Sequence, residues 1–543
     1  LWSAAFTGYA LLAVLSGWVF VRMVEARKPS PSNTADGSLN EPTTPPHPRQ
    51  ILTWILYSTC GSVLLLSLTS QMTQDIAVVP FLWVVPLALY LLTFVIAFDH
   101  PRWYRRGLAI PLAAVSIAST LLLMNWEHLS DEGSIAEKIG EWPLLLQIGV
   151  YCSSIFFTCL ICHGEIAHRK PTPRHLTGFY LAISFGGAAG GMLVSLVAPR
   201  VFDGYWELHL ALAVLALLTS ASLYRPVIDW YRQHSTHDRG MRVTAASCLT
   251  LLWVAGLGSM GYALVSHIKN DKSNAIETTR GFYGVLRVTA EDEGTEERSR
   301  IMYHGRINHG CQYLAPKYRR AVTTYYGVKG GVGTAFRCLP ERAVKPATPI
   351  QVGVVGLGVG TIAAYAKPGD KFTFYEINPQ VETLARSHFS YLEDCRGEVS
   401  VVLGDARITL EAELERGDQH ELDMLVIDAF SGDAIPIHLI TQEAFDLYTR
   451  RIKTDGVLAF HITNRHVDLS DLLRNMAADA GCEALLVMND PDSSFDSDWV
   501  LISRDQTFIN MLKETGRLAS WSRPSPKQVH WTDDYGNLFD VLY

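Results

Sequence analysis

Eight stretches of this chain are each long and apolar enough to cross a bilayer, and no other feature limits its fold so tightly. A membrane helix needs about 20 mainly apolar residues to span roughly 30 Å of hydrocarbon. The stretches are Trp2–Val21, Ile51–Leu68, Val78–Phe98, Leu108–Trp126, Trp142–Ile161, Thr177–Ala198, Trp206–Leu223 and Val243–Leu264. Trp83, Trp103, Tyr104, Trp126, Trp142 and Trp206 stand at many of their ends, as aromatic belts do at membrane interfaces. So many spans in the first half argue against a bundle of buried helices in a soluble enzyme. With 48% hydrophobic and only 18% charged residues, the chain is not disordered. A net charge of −8 points away from nucleic acid. The nine cysteines show no spacing that suggests a disulfide framework. The chain opens at Leu1, already inside an apolar stretch, which implies that sequence precedes it.

The loops between the spans alternate in charge. One set carries Arg22, Arg27, Lys28 and Arg49, then Arg102, Arg105 and Arg106, then Arg169, Lys170 and Arg174, then Arg225, Arg232, Arg239 and Arg242. The opposite set holds only Lys138 and Arg200. The positive-inside rule puts the first set in the cytoplasm, so eight crossings would leave the C-terminal half outside. Residues 29–50 are rich in Pro, Ser and Thr and read as a flexible loop.

Within the spans, Gly186, Gly187, Gly190 and Gly191 put small residues on one helical face, as close helix packing requires. Cys159, Cys162 and His163 match the C-x-x-C-H haem pattern, but they precede a basic loop on the side where haem attachment is not expected. They read as ordinary small apolar cysteines. His163, Glu165, Glu207 and His209 sit near membrane edges and need partners or hydration.

After residue 264 the pattern changes. Residues 281–314 alternate apolar and polar between glycines and read as a small β-meander. From Ile350, strands (Ile350–Val355, Phe372–Glu376, Val399–Leu403, Met424–Asp428, Val457–Thr463) alternate with helices, and Ala484–Met488 and Trp499–Ser503 can close the sheet. A helix is expected to start over Thr361–Ala366, and another over Asn378–His388. The expected organisation is a multi-pass α-helical membrane domain over 1–264, a β-rich subdomain over 265–345, and an α/β Rossmann-like domain over 346–543.

The chemistry-bearing motifs fall at strand ends. The first strand runs into Gly356, Gly358 and Gly360, where glycine lets the backbone turn sharply and approach a ligand. Glu376 ends the second strand, placed to accept from ribose hydroxyls. The third ends in Gly404-Asp405-Ala406, with Asp405 in reach of an adenine amino group, and the fourth in Asp428, with Ser431 and Asp433 beyond it. The turn reads G-x-G-x-G-T and lacks the last glycine of G-x-G-x-x-G, which favours a nucleoside without a pyrophosphate over NAD.

With these motifs in place, residues 281–543 resemble the spermidine synthase (polyamine aminopropyltransferase) family, with its small β domain and methyltransferase-like Rossmann domain. The whole chain resembles the membrane-fused spermidine-synthase-like proteins through SQMTQDIAVVPFLWVVPLALYLLTFVIAF, CHGEIAHRKPTPRHLTGFYLAISFGGAAGG and WTDDYGNLFDVL. The resemblance implies that Gly356, Gly358, Gly360, Glu376, Asp405 and Ala406 hold decarboxylated S-adenosylmethionine or methylthioadenosine. It implies that Asp428 is the general base and that Gln312 belongs to the nucleoside site. It departs from the family where Ser431 replaces the second aspartate of D-S-S-D. It departs again where Lys317, Arg319 and Arg320 stand in place of the carboxylates that line a polyamine channel.

The expected function is an enzyme acting on S-adenosylmethionine or its decarboxylated form and releasing methylthioadenosine, with Asp428, Tyr325 and Tyr326 as catalytic candidates. Asn308 and His309 join Ser431 and Asp433 as candidates for the substrate pocket. Three routes stay open: transfer to an acceptor, intramolecular lyase chemistry, or methyl transfer. A transporter or sensor with a non-catalytic nucleoside-binding domain is the reading from another class. No metal and no cofactor beyond the sulfonium substrate is expected. The expected partners are the lipid bilayer and a small nucleoside-sulfonium, with self-association left open. The expected location is a bacterial inner membrane. Because sulfonium metabolites arise in the cytoplasm, the α/β part is expected on that side, with Gly256, Gly258 and Gly261 breaking the eighth span.

Overall fold

The computed structural model describes residues 45–75, 81–129, 142–233, 239–272, 275–305, 307–344, 348–417, 421–429, 436–464, 467–487, 497–523 and 526–541. The expected span Trp2–Val21 lies outside them. The other seven expected spans are helices long and apolar enough to cross a membrane. They are α1 (Pro48–Asp75), α2 (Phe81–Asp99), α3 (Arg106–Leu129), α4 (Leu144–His168), α5 (Leu176–Met192, running on through Leu193–Val197 and Ala198–Val201), α6 (Glu207–Gln233) and α7 (Arg239–Asp271).

Of the four small residues on α5, Gly186 and Gly190 make the close packing that the stripe predicts. A Cβ at Gly186 would stand 2.7 Å from the Ile55 carbonyl oxygen and 2.8 Å from Ser58 Cβ. One at Gly190 would meet the Thr59 oxygen at 2.7 Å and Ser62 Cβ at 2.8 Å, so α5 lies almost backbone to backbone on α1. Thr59 Oγ1 donates to the Gly186 carbonyl at 3.0 Å and seals the contact. The glycines of α7 behave otherwise. α7 is one unbroken helix, and a Cβ at Gly256, Gly258 or Gly261 would meet nothing within 4 Å. The expected break in the last span is therefore absent, because isolated glycines weaken a helix without ending it.

Both ends of the bundle are marked by ion pairs, each with a buried glutamate at its centre. At one end Glu165, with only 2% of its side chain exposed, binds Arg106 at 2.6 Å and also Arg169. Trp54 Nε1 donates to the Arg169 carbonyl at 3.1 Å, which ties the start of α1 to the same end. At the opposite end Arg280 grips Glu207 with two bonds of 2.8 and 2.9 Å, and Lys272 binds Asp203 at 2.8 Å. His163, expected to need a partner, has one: Thr93 Oγ1 lies 3.0 Å from its Nδ1.

Beyond the helices stands a four-stranded antiparallel meander, β1 (Ala275–Gly281), β2 (Gly284–Glu291), β3 (Ser299–His304) and β4 (Ile307–Tyr313), paired in chain order. It begins six residues before the expected Gly281. A short helix, α8 (Gly331–Cys338), leads to the α/β part. There the strands are β5 (Gln351–Val355), β6 (Lys371–Glu376), β7 (Glu398–Leu403), β8 (Leu422–Ile427), β9 (Ile452–His461), β10 (Glu483–Val487) and β11 (Trp499–Ser503). Their order across the sheet is β10-β11-β9-β8-β5-β6-β7. The five neighbouring strands β9, β8, β5, β6 and β7 are parallel, and β11 runs antiparallel to β9.

A parallel sheet is covered on both faces, and the alternation of strand residues shows it. Val352, Val354, Met424 and Val426 share one core with Phe508 and Leu512 of a helix over Gln506–Glu514. Val355, Leu425 and Ile427 share the other with Phe445 and Tyr448 of a helix over Gln442–Arg451. The chain passes from β5 to β6 and β7 on one side and from β8 to β9 on the other. The gap between β5 and β8 is thus the switch point where α/β sheets bind ligands.

The helix contact is directly testable. Gly190→Leu is expected to force α1 and α5 apart and cost about 1–3 kcal/mol. Gly191→Leu, whose Cβ position meets nothing within 4 Å, is expected to be nearly neutral. Thermal unfolding in detergent compares the two.

Candidate active site

The switch point is built around the turn after β5. Gly356, Gly358 and Gly360 all have positive φ, at 99°, 54° and 84°, which other residues adopt only under strain. Space is as restrictive as angle. A Cβ on Gly356 would collide with the Asp428 carbonyl, and one on Gly358 would lie 2.7 Å from the His309 carbonyl. The turn is thereby pinned between the end of β8 and strand β4 of the meander. The expected helix over Thr361–Ala366 is only a five-residue 3₁₀ turn, Thr361–Tyr365. No α-helix start stands behind the glycines to attract a phosphate.

Glu376, at the end of β6, is buried and accepts from the Leu357 N–H at 3.0 Å and the Asn378 N–H at 2.8 Å. Burial pushes its carboxyl above the usual range, against the pull of these N–H groups. Each oxygen keeps a second lone pair for a ligand hydroxyl. Asp405 caps the helix Ala406–Glu415, accepting from the Ile408 N–H at 3.1 Å, and its other oxygen lies 2.9 Å from His438 Nε2. Three apolar side chains that sequence reasoning did not single out, Ile377, Leu403 and Ile408, stand exposed beside these two acids.

Asp428 sits at the end of β8 with both oxygens engaged. Tyr326 donates its hydroxyl to Oδ2, and His461 Nδ1 lies 2.7 Å from Oδ1. On the far side of the imidazole, Nε2 is 2.8 Å from Thr463 Oγ1, which itself accepts from the Asp498 N–H at 2.8 Å. Two lone pairs cannot face each other at 2.7 Å, so a proton lies between Asp428 and His461. The pattern assigns it to Nδ1, with the Thr463 hydroxyl donating to Nε2. Stacking clamps the ring: Tyr325 lies 4.5 Å from it at 22° and Trp499 4.7 Å from it at 17°. Burial and the neighbouring Asp428 hold the phenols of Tyr325 and Tyr326 well above their usual range, so both remain donors. His461 was not foreseen. It lies 33 residues from Asp428 in sequence, inside an apolar strand that carries no motif.

The other candidates divide. His309 packs at the turn, and its Nε2 is shielded from solvent without a hydrogen-bond partner among the described residues. Burial, then His304 and His461, push its pKa down to about 3. Asn308 accepts the Gly310 N–H at 2.8 Å and shapes the strand end. Gln312 donates to the Arg319 carbonyl and Ser390 Oγ, both at 2.9 Å, and accepts from the Ser390 N–H at 2.9 Å. All its polar atoms are taken, so it acts as a buried tie between β4 and residue 390. Ala406 is buried in the first turn of its helix. Ser431 and Asp433 lie outside the described residues. Among the described residues no group of three His, Cys, Asp or Glu side chains is arranged to hold a metal ion.

No family model matches the chain. A polyamine aminopropyltransferase of Vibrio vulnificus (strain CMCP6) is 28% identical over 151 residues, which is 27% of this chain and 46% of that protein. An N-terminal histidine N-methyltransferase of Emericella nidulans is 31% identical over 109 residues, 20% of this chain and 19% of that one. The chain thus spans less than half the length of these curated relatives. Among solved structures, a probable spermidine synthase from Corynebacterium glutamicum ATCC 13032 aligns over 47% of this chain and 98% of its own, with 18% identity and a TM-score of 0.33. Spermidine synthase from Thermotoga maritima aligns over 48% and 82%, with 14% identity and a TM-score of 0.31.

The depressed pKa of His309 has a consequence for stability. The unfolded imidazole binds a proton near pH 6.5 and the folded one only near pH 3, so stability is full above 6.5 and falls as pH drops toward 3. His309→Leu is expected to remove a slope on the order of 1 kcal/mol per pH unit across that window. Urea unfolding at stepped pH measures it.

Proposed function

We propose that this chain is a membrane-anchored transferase that acts on S-adenosylmethionine or its decarboxylated form, moves the group on the sulfonium to an acceptor, and releases methylthioadenosine. The observation that carries this reading is the convergence at the β5–β8 switch point. A glycine turn at positive φ, a buried acid at the neighbouring strand end, and a doubly hydrogen-bonded carboxylate meet there. The sequence likeness to a polyamine aminopropyltransferase supports the same class of chemistry.

In this reading Glu376 accepts the ribose hydroxyls, the glycine turn lets the nucleoside approach the backbone, and Ile377, Leu403 and Ile408 offer the adenine an apolar surface. Asp405, capping a helix and bonded to His438, keeps a second lone pair on each oxygen toward the adenine side. A sulfonium carries its own leaving group, so the protein mainly orients the reactants and removes one proton. The acceptor nitrogen attacks the carbon beside sulfur. The carbon–sulfur bond breaks with its electron pair passing to sulfur, and the new ammonium gives its proton to Asp428. Tyr326 and His461 hold that carboxylate in one orientation, and its remaining lone pairs receive the proton. Lys317, Arg319 and Arg320 leave the acceptor side without a polyamine's carboxylates, so putrescine is a poor acceptor in this scheme.

In this reading the α/β part stands on the outer face of the membrane, as the positive-inside rule favours. The basic loops gather at the Glu165 end of the bundle, and the meander is held at the other end, by Glu207. The expectation of a cytoplasmic α/β part rests on where sulfonium metabolites are made, and the unbroken α7 offers it no support by parity. A substrate made in the cytoplasm must then cross the bilayer to reach Glu376.

Purified protein incubated with each sulfonium, with products read by mass spectrometry, is expected to release methylthioadenosine; release of methyl-transferred product with S-adenosylhomocysteine would overturn the reading. Asp428→Asn is expected to lower turnover by roughly 10²–10⁴-fold. Glu376→Ala is expected to weaken methylthioadenosine binding by roughly ten- to a hundred-fold in calorimetry. His461→Gln keeps an N–H toward Asp428 and is expected to retain more activity than His461→Leu. For sidedness, Glu293→Cys in a Cys395→Ser, Cys482→Ser background is expected to react with an impermeant thiol reagent on intact cells.

A further inference from the structure

The tip of the first hairpin is the most exposed large apolar side chain among the described residues. β1 and β2 are joined by only two residues, Phe282 and Tyr283, between the paired Gly281 and Gly284. Phe282 is 95% exposed, and Tyr283 is 37% exposed with its ring 5.2 Å from that of Phe282. An aromatic ring wholly in water at a tight turn is an unfavourable arrangement unless something covers it.

The surroundings say what covers it. Both strands of the hairpin are fastened to the short connection between the spans Pro173–Val201 and Glu207–Tyr224. From β1, Arg280 donates to the Gly204 carbonyl at 2.6 Å, clasps Glu207 with two bonds, and lies over the Tyr205 ring at 4.3 Å. From β2, the Cβ position of Gly284 is 3.5 Å from the Tyr205 hydroxyl. Glu207 is the first residue of its span, so these fastenings hold the hairpin at the hydrocarbon boundary. Two residues of chain reach about 7 Å. That matches the headgroup layer on each side of the hydrocarbon, roughly 5–8 Å thick. Trp206 and Tyr205 already mark the level at which aromatic rings settle.

We propose that Phe282 and Tyr283 form a membrane foot: an aromatic tip seated in the lipid headgroup layer that holds the α/β part at a fixed height above the bilayer. The partner is the phospholipid surface itself. The foot is joined to the catalytic carboxylate by continuous packing. His304 lies against Gly284, with its Nε2 2.5 Å from the Cβ position there. The His309 ring is 5.4 Å from that of His304, and the His309 carbonyl meets Gly358 beside Tyr326 and Asp428. The candidate site thus stands a few side chains above the lipid surface, and the foot does not depend on which reaction that site performs.

The full chain is tested in nanodiscs of phosphatidylethanolamine and phosphatidylglycerol. The photo-crosslinker p-benzoylphenylalanine is placed at one position at a time: Phe282, Leu181 on the span Pro173–Val201, or Tyr535 in the α/β part. Leu181 and Tyr535 are both well exposed, at 70% and 59%. Phospholipid adducts are expected at 282 and 181 and not at 535. Adducts at 181 without any at 282 would overturn the foot, as would crosslinks from 282 to a second protein chain. Absence of lipid at 181 would overturn it too, by removing the bilayer from that span. Phe282→Ser, which removes an exposed side chain, is expected to leave the unfolding temperature unchanged and to lower the adduct yield of a crosslinker placed instead at Tyr283.

Discussion

The turn between β5 and the following 3₁₀ turn leaves no room for side chains, and much of the α/β part is arranged by that shortage. Three glycines at positive φ carry the backbone between the Asp428 carbonyl on one side and the His309 carbonyl on the other. A side chain at either contact would separate β5 from β8 or lift the meander off the sheet. Either movement would pull the catalytic candidate away from Glu376. Close backbone approach is therefore what makes one site from a sheet and a meander that are distant in sequence.

The same logic of paired constraint governs the apolar helical half. Burying a carboxylate is costly unless a cation and further hydrogen bonds meet it. Glu165 has Arg106, Arg169 and Tyr104. Glu207 has both arms of Arg280. The first cluster ties helix ends to one another, and the second ties the bundle to the meander. Removal of one partner would leave a buried charge, so each cluster fixes an orientation more than it adds net stability. Seen from the candidate site, the Arg280–Glu207 pair is what fastens the meander to the helix ends.

Some of this was legible residue by residue. The span lengths, the strands from Gln351 to Ser503, the glycine turn and Glu376 are all local signals: an apolar run, an alternation, a sharp turn, an acid at a strand end. Where the local signal is ambiguous, tertiary context decides. Gly256, Gly258 and Gly261 resemble a break but leave α7 intact, because a glycine only weakens a helix whose other residues favour it. Thr361–Ala366 resembles a helix start, but the chain closes a 3₁₀ turn and goes straight to β6. Gln312 looks like a ligand group, yet each of its side-chain polar atoms is bonded to the protein itself.

What the sequence determined by itself was whatever depends on neighbours within a turn or a strand: hydrophobic length, periodicity, and the glycines that permit positive φ. The tertiary structure decided the partnerships. His461 meets Asp428 only because β9 lies beside β8, and Trp499 stacks on that imidazole only because β11 inserts antiparallel next to β9. Arg280 reaches Glu207 only once the meander is set down on the helix ends. Sheet order and docking are sums of many weak contacts over the whole chain, and no short window of sequence contains them.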